Sequence, residues 1–123
     1  MKKPPTSLCP CHSGKSYADC CEPYHNGKAA PTPLALMRSR YSAYALDNID
    51  YILQTGPQGE GSRKGIERFC LETSFNGLEI LETTDDSVTF KAILEQNGHD
   101  TSFIEKSLFK KINERWTYIK RLN

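Results

Sequence analysis

Between Pro33 and Leu46 apolar residues recur three and four positions apart. Leu34, Met37, Tyr41 and Tyr44 or Ala45 then share one helical face, and Arg38, Arg40 and Ser42 fall elsewhere. Thr32 followed by Pro33 reads as an N-cap and a first-turn proline. A second helix over about Asp47–Thr55 buries Ile49, Ile52 and Leu53 and stops at Gly56. Pro57 to Gly61 reads as a flexible loop, and Ser62 caps a third helix that runs to about Leu71 with Ile66, Phe69 and Cys70 inward. Cys70 then reads as a core thiol. After Gly77 the period falls to two. Leu78–Ile80 opens a strand, Asp85-Asp86-Ser87 turns it, and Val88, Phe90, Ala92 and Leu94 alternate along the next. Asn97-Gly98 is a type I′ hairpin signal. A third strand runs from about Asp100 to Lys111, and a turn near Asn113-Glu114 leads to a fourth over about Arg115–Arg121. Three helices followed by a four-stranded antiparallel meander is an α+β layout. Helices on one face of a curved sheet leave a cone whose mouth can form a pocket.

The first thirty residues show no such period. They carry four of the five cysteines, in Cys9-Pro10-Cys11-His12-Ser13-Gly14-Lys15-Ser16-Tyr17-Ala18-Asp19-Cys20-Cys21. Three chemistries compete for this cluster. Disulfides are cramped within C-x-C and between vicinal cysteines, although cross-pairing is geometrically feasible. A redox or nucleophilic site lacks its usual C-x-x-C spacing and needs fewer thiols. A metal cage needs two close ligand pairs joined by a short loop, which is what the spacing supplies; four thiolates suit zinc, with iron as competitor. Gly14 can take positive φ in the intervening turn. The fourth ligand is Cys21 first, with His25 as the alternative. A segment this short buries too little apolar surface to fold alone, so metal removal is expected to melt it while the cone survives.

Charge is unevenly spread behind a net of +1: residues 1–40 carry +4, residues 41–108 carry −7 and residues 109–123 carry +4. Basic ends suit an acidic partner, with Lys15, Lys28 and the Lys2-Lys3 arm as contacts. No apolar run approaches the roughly 18 residues of a membrane span. Met1-Lys2-Lys3-Pro4-Pro5 is not followed by the apolar stretch of a secretory signal, so a cytoplasmic location is expected.

The cysteine segment resembles the SEC-C motif, the zinc knuckle also found at the C-terminus of the translocase ATPase SecA. Its continuation resembles the bacterial YchJ family of SEC-C proteins. The residues that carry this are Glu22-Pro23-Tyr24-His25, Ala30-Pro31-Thr32, Leu36-Met37-Arg38-Ser39-Arg40-Tyr41-Ser42-Ala43-Tyr44, and Glu105, Ser107, Phe109, Trp116 and Tyr118. The resemblance implies a metal knuckle over residues 1–28 and a nuclear-transport-factor-2-like α+β domain over residues 32–123. It implies Cys9, Cys11, Cys20 and Cys21 as metal ligands. It also implies protein contacts for the knuckle, or a link to translation or export. His12 and Glu22 stand where glycine is common in the family, and Thr55-Gly56-Pro57 where many relatives have a Trp-His pair.

The strands offer no Asp–His pair, since His99 falls in the hairpin. Phosphate loops and Ser-His-Asp sets are also missing, so no catalytic residue is assigned. Tyr41, Tyr44, Glu105, Trp116 and Tyr118 are candidate pocket residues. Glu105 and Ser107 share one strand face, read as outward, with Glu105 either a buried acid or a rim carboxylate paired with Arg38 or Arg40. The leading expectation is a non-enzymatic adaptor that contacts a protein, a ribosome or RNA. The alternatives are a small-molecule-binding or enzymatic cone, and a labile zinc- or iron-handling protein.

Overall fold

The computed structural model describes residues 8–57 and 61–123. The Lys2-Lys3 arm and the middle of the Pro57–Gly61 loop lie outside the described residues. The chain runs α1 (Glu22–His25), α2 (Pro33–Ala45), α3 (Ile49–Thr55), α4 (Arg63–Glu72), β1 (Thr73–Thr83), β2 (Ser87–Gln96), β3 (His99–Asp100), β4 (Phe103–Ile112) and β5 (Arg115–Arg121). All strand pairs are antiparallel. The long strands lie in the order β1-β2-β4-β5, and the two-residue β3 pairs with β2. This is the expected α+β layout, with a short extra helix and strand. Among the described residues no helix is long and apolar enough to cross a membrane.

Side-chain oxygens start the three longer helices. Thr32 Oγ1 accepts from Ala35 N (3.1 Å), Asn48 Oδ1 from Tyr51 N (3.3 Å) and Ser62 Oγ from Gly65 N (2.9 Å). The hairpin at Asn97-Gly98 has the two positive φ values a type I′ turn needs, 52° and 79°. Val88, Phe90, Ala92 and Leu94 all point into the core, as their alternation predicts.

Three expectations are corrected. Helix α2 does not present a single apolar stripe: Ser39, Arg40 and Ser42 are buried, and Leu34 is only half-buried. The reason is its position, packed against α1 and α3 and against β1, β2 and β5. Small side chains at positions 39, 42 and 43 permit this close approach. Phe69 and Leu53 are also less buried than their spacing suggests; Phe69 is 36% exposed. Finally, β1 begins at Thr73, directly after α4, rather than near Leu78. Gly77, after which the alternation sets in, lies at a β-bulge between Phe75 and Gly77. A Cβ on Gly77 would stand 2.9 Å from Ile93 Cδ1 and 3.3 Å from Ile93 Cβ, so the bare backbone lets the strands approach.

Candidate metal centre

The cysteine segment is built from two tight turns. An isolated bridge joins Leu8 to Ser16, and Cys9 N donates to Lys15 O at 2.7 Å, which closes a small loop. Inside it His12 N donates to Cys9 O at 3.1 Å, and His12 and Gly14 take φ of 62° and 90°. The left-handed conformation at His12 costs a side chain strain that glycine would avoid. After the loop, Asp19 N and Cys20 N turn back onto Ser16 O and Tyr17 O, both at 3.1 Å, and Cys21 stands at the start of α1.

These turns bring four sulfurs together. The Sγ atoms of Cys9, Cys11, Cys20 and Cys21 all lie within 4.8 Å of one another. Cys11 and Cys20 are 3.5 Å apart, and Cys20 and Cys21 are 3.8 Å apart. Four sulfurs at about 2.3 Å from a tetrahedral zinc stand about 3.8 Å from each other. The donor set therefore fits such an ion in chemistry and in spacing. Cys9, Cys11 and Cys21 are buried and Cys20 is partly exposed.

The surroundings suit negative sulfur. Arg38 on α2 donates through Nη1 to Cys11 O at 3.0 Å and stands 3.9 Å from Cys11 Sγ. Ser13 Oγ lies 3.2 Å from Cys20 Sγ. Hydrogen bonding from Cys21, then Cys9, pushes Cys11 far below the usual thiol range. The reverse of those bonds pushes Cys21 strongly up and Cys9 up to about 12, with burial adding to both. A metal would displace the thiol protons as it binds.

His25 is directed elsewhere. Its Nε2 is 2.8 Å from Ser39 O, an acceptor, so that nitrogen carries the proton. Nδ1 then accepts from Tyr17 Oη at 2.7 Å. Burial lowers the pKa of His25, opposed by the bond to Ser39 O. Its ring also packs 4.7 Å from that of Tyr51, centroid to centroid. His25 thus pins the cysteine module to α2 with both nitrogens engaged. Arg38 and this tether are the residues that sequence reasoning misses. Nothing local marks Arg38, which is 27 residues from the sulfur it approaches.

A second feature is a cavity of about 370 Å³ between the helices and the sheet. Tyr41, Tyr44, Glu105 and Tyr118 line it. Trp116 is not among its lining residues. It donates to Pro31 O at 3.3 Å and stacks with Lys111, tying the sheet edge to the linker before α2. Glu105 and Ser107 face inward, not outward, because β4 turns this face to the helices. Glu105 pairs with neither Arg38 nor Arg40. Its Oε2 accepts from Ser107 Oγ and from Tyr118 Oη (3.1 Å), while Arg38 reaches Cys11 and Arg40 reaches Ile52 O and Thr55 Oγ1. Lys15 and Lys28, the candidate partner contacts, are exposed.

Comparison with known proteins agrees with both parts of the chain. Residues 32–121 match the family described as YchJ, middle NTF2-like domain, and residues 6–23 match the SEC-C motif. A UPF0225 protein of Actinobacillus succinogenes is 42% identical over 93% of this chain and 80% of its own length. Another, from Deinococcus radiodurans, is 40% identical over 94% of this chain and 89% of its own. The solution structure of a SEC-C motif containing protein from Rhodopseudomonas palustris superposes with a TM-score of 0.82 at 34% identity, covering 93% of this chain and 96% of that one. A crystal structure of a SEC-C motif containing protein from Psychrobacter arcticus gives 0.74 at 27% identity, covering 91% and 80%.

Proposed function

The chain belongs to the YchJ family of SEC-C motif proteins, and from that premise we propose that it is a zinc-dependent, non-enzymatic binding module of the cytoplasm. Cys9, Cys11, Cys20 and Cys21 are its metal ligands. The observation that carries this reading is the closed donor set: four sulfurs within 4.8 Å fill every position of a tetrahedral ion. Catalytic zinc keeps one position for water or substrate, whereas a four-thiolate cage holds a fold together. Iron is the competitor for the same four-sulfur cage. A reducing compartment keeps the four thiols available for metal.

The metal-nucleated turns form a rigid surface whose exposed Lys15, with Lys28 beyond α1, offers positive charge to an acidic partner. A ribosome or RNA surface, or an acidic protein of the translation or export machinery, fits that charge. The test is co-sedimentation of the metal-loaded protein with ribosomes at physiological salt. The expected result is enrichment that Lys15→Glu with Lys28→Glu reduces severalfold. Sedimentation equal to that of a neutral control protein overturns the ribosome assignment.

A further inference from the structure

Protein interiors seldom leave gaps larger than a water molecule, whose share of liquid volume is about 30 Å³. The cavity between helices and sheet holds about 370 Å³. It falls in the size range of small-molecule sites. Its walls are largely aromatic. The rings of Tyr44, Phe69 and Phe75 meet edge to face on one side, with centroids 5.8 and 6.0 Å apart, and those of Phe90 and Phe103 do so at 6.2 Å. Gly61, Ser62 and Gly65 are exposed and also line the cavity, so it meets solvent at the start of α4. Phe69 stands half-exposed on the same helix.

The polar part is small and asymmetric. Glu105 Oε2 accepts two hydrogen bonds, from Ser107 and Tyr118, whereas Oε1 receives none from any described residue. Arg40 also lines the cavity, but its Nη1 is committed to Ile52 O (2.9 Å) and Thr55 Oγ1 (2.8 Å), and its guanidinium lies 4.9 Å over the Tyr118 ring. Among the described residues one cation, Arg40, and one carboxyl group, Glu105, border the space, which favours an uncharged occupant. The acceptor left over calls for a donor.

We propose that this cavity binds a neutral, mainly aromatic small molecule that donates one N–H or O–H hydrogen bond to Glu105. At roughly 20 Å³ per atom it takes a ligand of about 15–20 non-hydrogen atoms. This site is separate from the cysteine cage and does not depend on what the cage contacts.

The test uses the intact, metal-loaded protein and two probes of matched shape. N-phenyl-1-naphthylamine has one N–H and fluoresces in apolar surroundings; 1-phenylnaphthalene lacks the donor and is followed by displacement of the first. The expected result is saturable binding of the amine at one equivalent, with a Kd of about 10 µM and about tenfold tighter than the hydrocarbon. Glu105→Leu should erase that tenfold difference, and Ala92→Phe, which fills the cavity, should abolish binding of both while circular dichroism stays native. Ala92 is buried and lines the cavity. Equal affinities of the two probes for the unaltered protein overturn the proposal, as does the lack of saturable binding. Undiminished binding by a folded Ala92→Phe variant does so too. Because the two-probe comparison uses the unaltered protein, it decides the matter even where a variant fails to fold.

Discussion

Arg38 Nη1 donates to the carbonyl oxygen of Cys11 at 3.0 Å and, from the same position, stands 3.9 Å from the Cys11 sulfur. A divalent metal held by four thiolates carries a net charge of −2, and a guanidinium at that distance offsets part of it. Groups that orient and neutralise metal ligands are commonly worth 10–100-fold in affinity. Arg38→Ala should therefore weaken zinc retention about 10-fold in competition with a chromophoric chelator, and Arg38→Lys should restore part of the loss. Retention equal to that of the unaltered protein would show that Arg38 only fastens the backbone.

His25 is predicted to stabilise without ligating. Its Nε2–H bond to Ser39 O and its acceptance from Tyr17 Oη join the cysteine module to α2. Ser39 O keeps a second donor in Ser42 Oγ at 3.2 Å, so the larger loss in His25→Ala falls on the Tyr17 hydroxyl. Denaturant titration should read a destabilisation of about 2 kcal/mol. Metal content should stay at one equivalent, and a fall to zero would make His25 a ligand.

Stripping the metal should separate the two parts of the chain. The turns around Cys9–Cys21 should lose amide-exchange protection, while the β1–β5 sheet keeps its far-ultraviolet signal. The sheet domain should still melt at a lower temperature, because the contacts of Arg38 and His25 with the module are lost with it. Cooperative unfolding of the whole chain on adding chelator would contradict this division.

The cap at the start of α2 gives a local control. Thr32 Oγ1 accepts from Ala35 N at 3.1 Å, and Thr32→Ala should cost about 1 kcal/mol by denaturant titration with no change in metal content. A loss of metal in that variant would mean that α2 transmits more strain to the cysteines than its contacts suggest.

What could be read from the sequence follows from the range of each interaction. Thr32 and Ser62 announce their helices because a cap acts over three residues, and Asn97-Gly98 announces its hairpin because the turn chemistry is local. The four cysteines are close in sequence, so their convergence is legible as well. The start of β1 before Gly77 is hidden because a bulge interrupts the alternation there, and only the partner strand, through Ile93, reveals it. The burial of Ser39, Arg40 and Ser42 is illegible for another reason. Helix α2 is covered on several sides, and periodicity reports only one-sided burial. Arg38 beside Cys11 and Trp116 beside Pro31 join residues 27 and 85 positions apart, and no local pattern encodes such pairs.

Elemental analysis of the protein purified under reducing, anaerobic conditions, alongside a Cys9→Ser/Cys20→Ser variant, tests the metal cage most directly. One equivalent of zinc in the unaltered protein and none in the variant is the predicted result. No metal in either sample would contradict the cage and return the four cysteines to redox chemistry.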